Sequence, residues 1–335
     1  MLLGDGRHSR GMAPFRTALL YLAVVAIWGT TWIAIKSTVA TVPPITASGL
    51  RFAIAFPVLA LIVARRPGVP LRYPRGRARL FALVTAAYFV VPFALMNLGS
   101  DVIPSGLAAV LFATVAIFIL LFSVPVLGTA IRGRQAAGVA VALVALAALI
   151  ANQMGLGGEV HPLGVLALLG AAVMHALVYV LLKRDAGAIS PLTLNALPMG
   201  LAGLLLCATG MLLEHPDAAA ISAESWLSVI YLGAIASVIG FLAYFQLLRE
   251  LGPVPLSLVF VLFPLVAQVA AVAGGERAMG GASLALLGVV LGASLMALTT
   301  PRTAPARSRR RRRDRSIPPV PHYASLGPPA DARGR

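Results

Sequence analysis

Residues 26–36 read AIWGTTWIAIK, and residues 173–183, which lie 147 positions later, read VMHALVYVLLK. Three pairs of aromatic, polar or charged residues coincide at this offset, namely Trp28 with His175, Trp32 with Tyr179, and Lys36 with Lys183. Identical residues coincide at three further pairs, namely Pro44 with Pro191, Thr46 with Thr193, and Gly128 with Gly275. A single offset that serves several segments indicates an internal repeat.

The composition of the 335-residue chain sets its broad class. Hydrophobic residues make up 59% of the sequence and charged residues only 11%, and the mean hydropathy is +0.91. Soluble domains carry charge on about a quarter of their residues, so this chain lacks the polar residues to cover a water-facing surface. Its apolar runs are continuous rather than alternating, which indicates membrane-spanning helices and excludes a β-barrel.

Proline, glycine and charged residues divide the apolar sequence into ten segments, each near the length of about 20 residues that crosses a bilayer. The predicted spans are residues 17–36, 44–64, 79–99, 105–127, 135–151, 162–182, 191–213, 226–248, 254–273 and 283–300. The sequence therefore predicts an all-α integral membrane protein with ten transmembrane helices.

The loop charges predict the orientation of these spans. With a cytoplasmic N-terminus, the even-numbered loops carry the basic stretches ARRPGVPLRYPRGRAR, IRGRQ, KRDAG and RELG. The odd-numbered loops then carry the acidic residues Asp101, Glu159, Glu214, Asp217, Glu224 and Glu276. Arginine and lysine concentrate in cytoplasmic loops, so we expect a multi-pass protein of the cell (inner) membrane with both termini cytoplasmic. The alternative, that the first span is a cleaved secretory signal, would leave nine spans and break the repeat.

The repeat and the span count together predict the domain organisation. Each half holds five helices, residues 17–151 and 162–300, between a cytoplasmic tail at 1–16 and a disordered Arg/Pro-rich cytoplasmic tail at 301–335. Because five is odd, the second half is inverted in the membrane relative to the first. Inverted repeats are typical of secondary transporters, in which the two halves rock around a shared site.

Three short motifs occur in or beside the predicted spans: WG in the first, LRF in the second and GGER before the last. They resemble motifs of the EamA family, a branch of the drug/metabolite transporter (DMT) superfamily, and the resemblance covers residues 17–300. Two features depart from the family pattern. LGTAIRGR, residues 127–134, lacks the acidic residue of a Gly-Glu pair, and FATVAIF in the fourth span lacks a proline, whereas Pro264 is present in the ninth. We therefore expect helix kinking to differ between the halves.

The resemblance implies a function and an arrangement of helices. It implies transport of small polar metabolites such as amino acids without ATP hydrolysis, by alternating access, with export favoured over uptake. It also implies that helices one to four and six to nine surround a central cavity, while the fifth and tenth are peripheral. Uptake or exchange without ion coupling remains an alternative.

Charged residues at membrane depth are the first candidates for substrate contacts, because burying a charge in the bilayer is costly. Arg51 lies about 12 Å below the end of the second span, at 1.5 Å per residue. It either faces a cavity or snorkels outward to bond backbone carbonyls. Lys36 ends the first span, where it either meets substrate or anchors the helix at the interface. Together they favour an anionic or zwitterionic substrate.

Aromatic and amide side chains complete the predicted substrate-binding set. Trp28 is too central for the interfacial belt, so Trp28 and Trp32 either stack on a substrate or pack between helices. Uncharged polar side chains facing lipid are also costly, so most should point inward. The predicted substrate-binding residues are Trp28, Trp32, Lys36, Arg51, Asn97, Tyr179 and Tyr244.

His175 is the candidate for proton coupling. Histidine has a reference pKa near neutrality, and this one lies in the apolar sixth span, whereas none of the eleven acidic residues falls in the middle of a span. The alternative is a neutral histidine that is hydrogen-bonded between helices.

Other classes of protein fit the sequence less well. The histidines are scattered and Cys207 is the only cysteine, so we expect no catalytic residues, no metal and no cofactor, and a non-transport membrane protein is a remote alternative. The net charge of +16 concentrates in cytoplasmic loops and in the tail, which favours contact with anionic lipid over nucleic acid. Gly288 and Gly292 are a weak signal for helix packing or a homodimer.

Overall fold

The computed structural model describes residues 8–155, 160–251 and 256–299. The chain divides into two compact units, Met1–Thr300 and Pro301–Arg335, and the second lies outside the described residues, as does the predicted disorder of the basic tail. Glu159 and the predicted start of the ninth span, residues 254–255, also lie outside them.

The described residues form helices and no strands, which confirms the all-helical fold class. Within the described ranges, nine helices are long and apolar enough to cross a membrane, and a tenth, Val259–Ala273, is apolar but has 15 residues. In chain order the helices are α1 (His8–Val39), α2 (Pro44–Ala64), α3 (Ala78–Val102), α4 (Ser105–Leu127), α5 (Gly133–Gly155), α6 (Pro162–Asp185), α7 (Pro191–Leu213), α8 (residues 223–251), α9 (Val259–Ala273) and α10 (Gly281–Leu298).

Helices α3 and α8 each contain a π-helical segment. These segments are Val84–Val90 in α3 and Tyr231–Gly240 in α8, and they begin 147 residues apart. A π segment widens the helix by one residue per turn and is uncommon, so its recurrence at one offset is a backbone signature of the repeat. The 147-residue offset that relates the two halves of the sequence therefore also relates their backbone geometry.

Helix α4 is interrupted at Thr114 although it has no proline there. The Thr114 hydroxyl donates to the Leu111 carbonyl at 2.6 Å, and the Thr114 N–H donates to the same oxygen at 3.3 Å. A threonine that bonds the preceding turn competes with the regular helical ladder. Helix α9 follows a turn at Leu258 and contains Pro264. Both helices are therefore interrupted or kinked, by different residues.

Equivalent helices of the two repeats run antiparallel. In α2 and α7 the contacts pair Thr46 with Gly210 and Gly49 with Cys207, so that residue numbers rise in one helix as they fall in the other. A Cβ atom on Gly49 would lie 2.6 Å from the Cys207 backbone nitrogen, so glycine is what allows this close approach. Helices α5 and α10 are arranged in the same way.

Packing between the repeats is reciprocal. Helix α1 packs against α8 and α9, and α6, its equivalent in the second repeat, packs against α3 and α4. Helix α5 packs chiefly against α10, on the periphery of the bundle. Gly288 and Gly292 of α10 do not contribute to this packing, because a Cβ atom added at either would meet no atom within 4 Å.

Candidate functional site

A cavity lies where α1, α2, α3, α4, α6, α8 and α9 meet. Its volume is about 50 Å³, which is far below the roughly 300–1,000 Å³ of typical small-molecule sites. The lining residues are mostly aromatic and comprise Trp28, Thr31, Trp32, Arg51, Tyr88, Phe93, Met96, Phe112, His175, Tyr179, Phe241, Phe260 and Phe263. Helix α7 contributes none of them because it packs behind α2, which differs from the ring of eight helices expected from the sequence.

Arg51 supplies a fixed positive charge to this cavity. Its side chain is only 3% exposed, and its Nε donates to the Ser237 hydroxyl of α8 at 2.8 Å. The guanidinium carbon lies 4.8 Å from the centroid of the Phe93 ring, in a cation–π contact. Salt bridges within the described residues involve other arginines. Arg51 therefore lies inside the bundle rather than snorkelling outward, and no carboxylate of the described chain pairs with it.

His175 lies next to Arg51 in the cavity wall. It is 3% exposed, and its ring is surrounded by Tyr88, Phe93 and Phe112, with centroids 4.6 to 5.5 Å away. Its Nδ1 lies 3.0 Å from the Ala171 carbonyl oxygen, which can only accept. The bond therefore requires a proton on Nδ1, and a neutral ring with this tautomer leaves Nε2 as its acceptor. The bond is to its own helix, not between helices as the neutral alternative supposed.

Tyrosines form a hydrogen-bonded chain beside the histidine. The Tyr88 hydroxyl donates to the Tyr179 hydroxyl at 2.8 Å, and a further hydrogen bond joins Tyr179 to Tyr244. Tyr244 lies behind the lining, where its ring stacks on Trp28 with centroids 4.7 Å apart. Tyr88 is part of the π segment of α3, which links that backbone irregularity to the cavity.

The two tryptophans of α1 both line the cavity. Trp32 is 2% exposed, and its ring contacts those of Phe112 and Phe263. Trp28 is only partly buried, and a Cβ atom on Gly240 would lie 2.8 Å from its indole nitrogen. Glycine at position 240 therefore makes room for the indole.

Besides Tyr244, two predicted substrate contacts lie outside the cavity lining, namely Lys36 and Asn97. Lys36 donates from Nζ to the Asp101 carbonyl oxygen at 2.7 Å, which ties the end of α1 to the end of α3. Asn97 donates from Nδ2 to the Ser48 hydroxyl, which donates in turn to the Phe93 carbonyl at 2.9 Å. Both side chains therefore join helices rather than face the cavity, and the interfacial alternative for Lys36 agrees with its position.

The remaining lining residues were not predicted from the sequence. They are Thr31, Tyr88, Phe93, Met96, Phe112, Phe241, Phe260 and Phe263. A helical spacing of three residues joins Thr31 to Trp28 and Phe260 to Phe263, and this spacing was a usable signal. The contribution of Phe93 has no such signal, because it depends on contacts with Arg51 and His175 in other helices.

The model of the EamA-like transporter family matches residues 15–151 and, a second time, residues 162–298. This chain belongs to the EamA-like transporter family. The two matches confirm the family resemblance and the presence of two repeats. As a family member, the chain is a multi-pass membrane transporter.

Relatives of this EamA-like chain include transporters of enteric bacteria. It is 37% identical over 257 residues to Protein PagO of Salmonella typhimurium (strain LT2), covering 76% of this chain and 84% of that protein. It is 28% identical over 284 residues to the uncharacterized inner membrane transporter YedA of Escherichia coli (strain K12), covering 84% and 90%. A probable amino-acid metabolite efflux pump of Escherichia coli (strain K12) is 33% identical over 102 residues, covering 30% and 31%.

A solved structure shares the fold of this EamA-like chain. The similarity to that crystal structure has a TM-score of 0.61 at 20% sequence identity. It covers 84% of this chain and 96% of the solved one. At this identity the likeness concerns the arrangement of the helices alone.

Proposed function

We propose that this chain is a secondary transporter of the inner membrane that exports small polar metabolites bearing a carboxylate, such as amino acids. The observation that carries the proposal is Arg51, a buried guanidinium in a cavity between the two repeats, with no carboxylate partner among the described residues. A buried charge is stable only when it is paired, so the missing partner is expected from the substrate.

The proposed mechanism is alternating access by two inverted five-helix repeats. The antiparallel arrangement of α2 and α7, which are equivalent by the 147-residue offset, supports this inversion. With ten spans and both termini cytoplasmic, the basic loops lie inside. The cavity of about 50 Å³ is then a closed state that widens towards one face at a time.

The proposed site assigns a role to each described residue. Arg51 pairs with the carboxylate, and Trp28, Trp32 and Tyr179 form walls for the remainder of the substrate, with Tyr244 behind Trp28. His175 carries the coupled proton through Nε2, the acceptor that its bond to Ala171 leaves available. Lys36 and Asn97 hold α1, α2 and α3 in place around the site.

One observation favours a second candidate function, exchange without ion coupling. Each described Asp or Glu lies at a helix end or in a connection, so the cavity wall has no carboxylate that could exchange a proton. If His175 only packs among its aromatic neighbours, substrate movement follows the substrate gradient in either direction.

Transport in proteoliposomes tests the proposal. Vesicles loaded with pooled amino acids and related carboxylates are assayed with and without a pH gradient, for the wild type and for Arg51→Gln, His175→Asn and Arg184→Gln. Arg184 is an exposed arginine that pairs with Asp185, so its variant is the matched control for loss of a positive charge. We expect gradient-driven efflux that fails in Arg51→Gln and loses its gradient dependence in His175→Asn. Efflux unchanged in Arg51→Gln would refute the proposed site.

A further inference from the structure

The charges in the cavity suggest more about the substrate than the presence of a carboxylate. Among the described lining residues, Arg51 is the one side chain that stays charged at every physiological pH. The described carboxylates are engaged elsewhere or exposed. Glu214 accepts from the first turn of α2, Glu224 accepts from Ser37, and Glu250 pairs with Arg16.

We infer that the preferred substrate is a carboxylate with a net negative charge and no adjacent ammonium group, such as a 2-oxo or 2-hydroxy acid, rather than a zwitterionic amino acid. This inference rests on the proposed function and names the substrate class of the same site.

Net charge is the first argument. A monoanion bound to Arg51 makes a neutral pair in a site of low dielectric constant. An α-amino acid brings an ammonium group within a few ångströms of the guanidinium, so the occupied site keeps one uncompensated positive charge. A buried uncompensated charge is unfavourable, and two like charges at this separation repel each other. A protonated His175 would add to the repulsion.

Hydrogen bonding is the second argument. An ammonium group has three donors and no acceptor, whereas carboxylate and oxo oxygens only accept. The guanidinium of Arg51 and the indole N–H groups of Trp28 and Trp32 can only donate. The acceptors among the described lining residues are neutral, namely His175 Nε2 and the hydroxyl oxygens of Thr31, Tyr88 and Tyr179. A carboxylate can therefore make a charge-assisted hydrogen bond to Arg51, whereas an ammonium group finds no anionic acceptor in this lining.

The aromatic walls are the remaining place for an ammonium group, because cations bind the faces of aromatic rings. Two of the available faces are already occupied. Trp28 stacks on Tyr244, and the face of Phe93 lies under the guanidinium of Arg51. Those two faces therefore cannot also bind the ammonium group of an amino acid.

Isothermal titration calorimetry on the purified full-length protein tests the inference with leucine, its 2-hydroxy acid and its 2-oxo acid. These ligands share one carbon skeleton and differ in the group next to the carboxylate, so side-chain effects cancel. We expect the two ammonium-free acids to bind at least about tenfold more tightly than leucine. Arg51→Gln should abolish this difference, whereas Arg184→Gln should retain it. The comparison on the wild type stands even if Arg51→Gln fails to fold.

Two outcomes would overturn the inference. One is leucine binding as tightly as either acid, and the other is no binding by either acid. If either outcome occurs but the pooled transport assay still shows efflux of amino acids, the inference fails and the proposed function stands. Efflux of no pool member would instead refute the proposed function itself, and the two failures are therefore distinguishable.

Discussion

Glu276 accepts the backbone N–H of Ser105 at 2.9 Å, so a carboxylate of the second repeat caps the first turn of α4 in the first repeat. Carboxylates at this position satisfy an otherwise unpaired N–H group and complement the helix dipole. Glu276 is the acidic residue of the GGER motif, and Thr129 stands at the equivalent position of the first repeat. The motif therefore has a structural role at the start of α4 in the first repeat.

Loss of this cap should destabilise the protein. We expect Glu276→Ala to lower the free energy of unfolding by about 1 kcal/mol, the usual contribution of a helix cap. Glu276→Gln should have a smaller effect because its amide oxygen still accepts the hydrogen bond. Thermal unfolding in detergent measures both, with Asp101→Asn, an exposed carboxyl group, as control. Equal stability of Glu276→Ala and Asp101→Asn would contradict the cap.

Gly49, where α2 and α7 cross, should not tolerate replacement by a residue with a side chain. A Cβ atom on Gly49 would lie 2.6 Å from the Cys207 backbone nitrogen, so Gly49→Ala must separate the two helices. We expect a loss of roughly 1–3 kcal/mol in stability, as for other overpacked sites. The matched control is Gly288→Ala, where the added methyl group meets no atom within 4 Å. The contact would be refuted if both variants melted at the same temperature.

The three tryptophans allow ligand binding to be followed by fluorescence. Trp28 and Trp32 line the cavity, whereas Trp226 is 37% exposed near the start of α8. We expect a bound carboxylate substrate to change the emission of the wild type and of Trp226→Phe to a similar extent. Trp28→Phe should lose a large part of that change and should also weaken binding. A signal that disappears in Trp226→Phe instead would show that the ligand binds away from the cavity.

Glu250 links α8 to the start of α1 and should make stability depend on pH. Hydrogen bonds from Gln246 and Thr17, together with Arg16, lower the pKa of its carboxyl group below the ordinary 4.5. A lowered pKa in the folded state means that this stabilisation is present above about pH 5 and is lost as the pH falls through the folded value. The unfolding temperature should therefore fall less between about pH 6 and pH 3 in Glu250→Gln than in the wild type. An identical fall in both would refute the link.

Local sequence features sufficed to predict the helices and the repeat. The length and hydrophobicity of an apolar run are enough to predict a membrane helix. The repeat is also visible locally, because the 147-residue offset aligns Pro44 with Pro191 at the starts of α2 and α7. Trp28, Trp32, Arg51, His175 and Tyr179 reach the cavity because each lies on the inward face of its helix.

Lys36 and Asn97 were predicted to contact substrate but lie outside the cavity lining, and the sequence of a single span does not determine this. Asn97 follows Met96, a lining residue, but one residue turns a helix by about 100° and points Asn97 towards Ser48. Lys36 continues the stripe of Trp28 and Trp32 by one more turn, which carries it past the cavity to the carbonyl of Asp101. The depth and rotation of a side chain follow from the neighbouring helices, which are distant in sequence.

The paired π segments of α3 and α8 bear on the ancestry of the protein. Such segments are uncommon in helices. The two segments begin at matching positions of the two halves, Val84 and Tyr231. One irregular helix that was copied by duplication accounts for both segments more simply than two separate events. The shared irregularity therefore favours descent of both halves from one five-helix unit that already contained it.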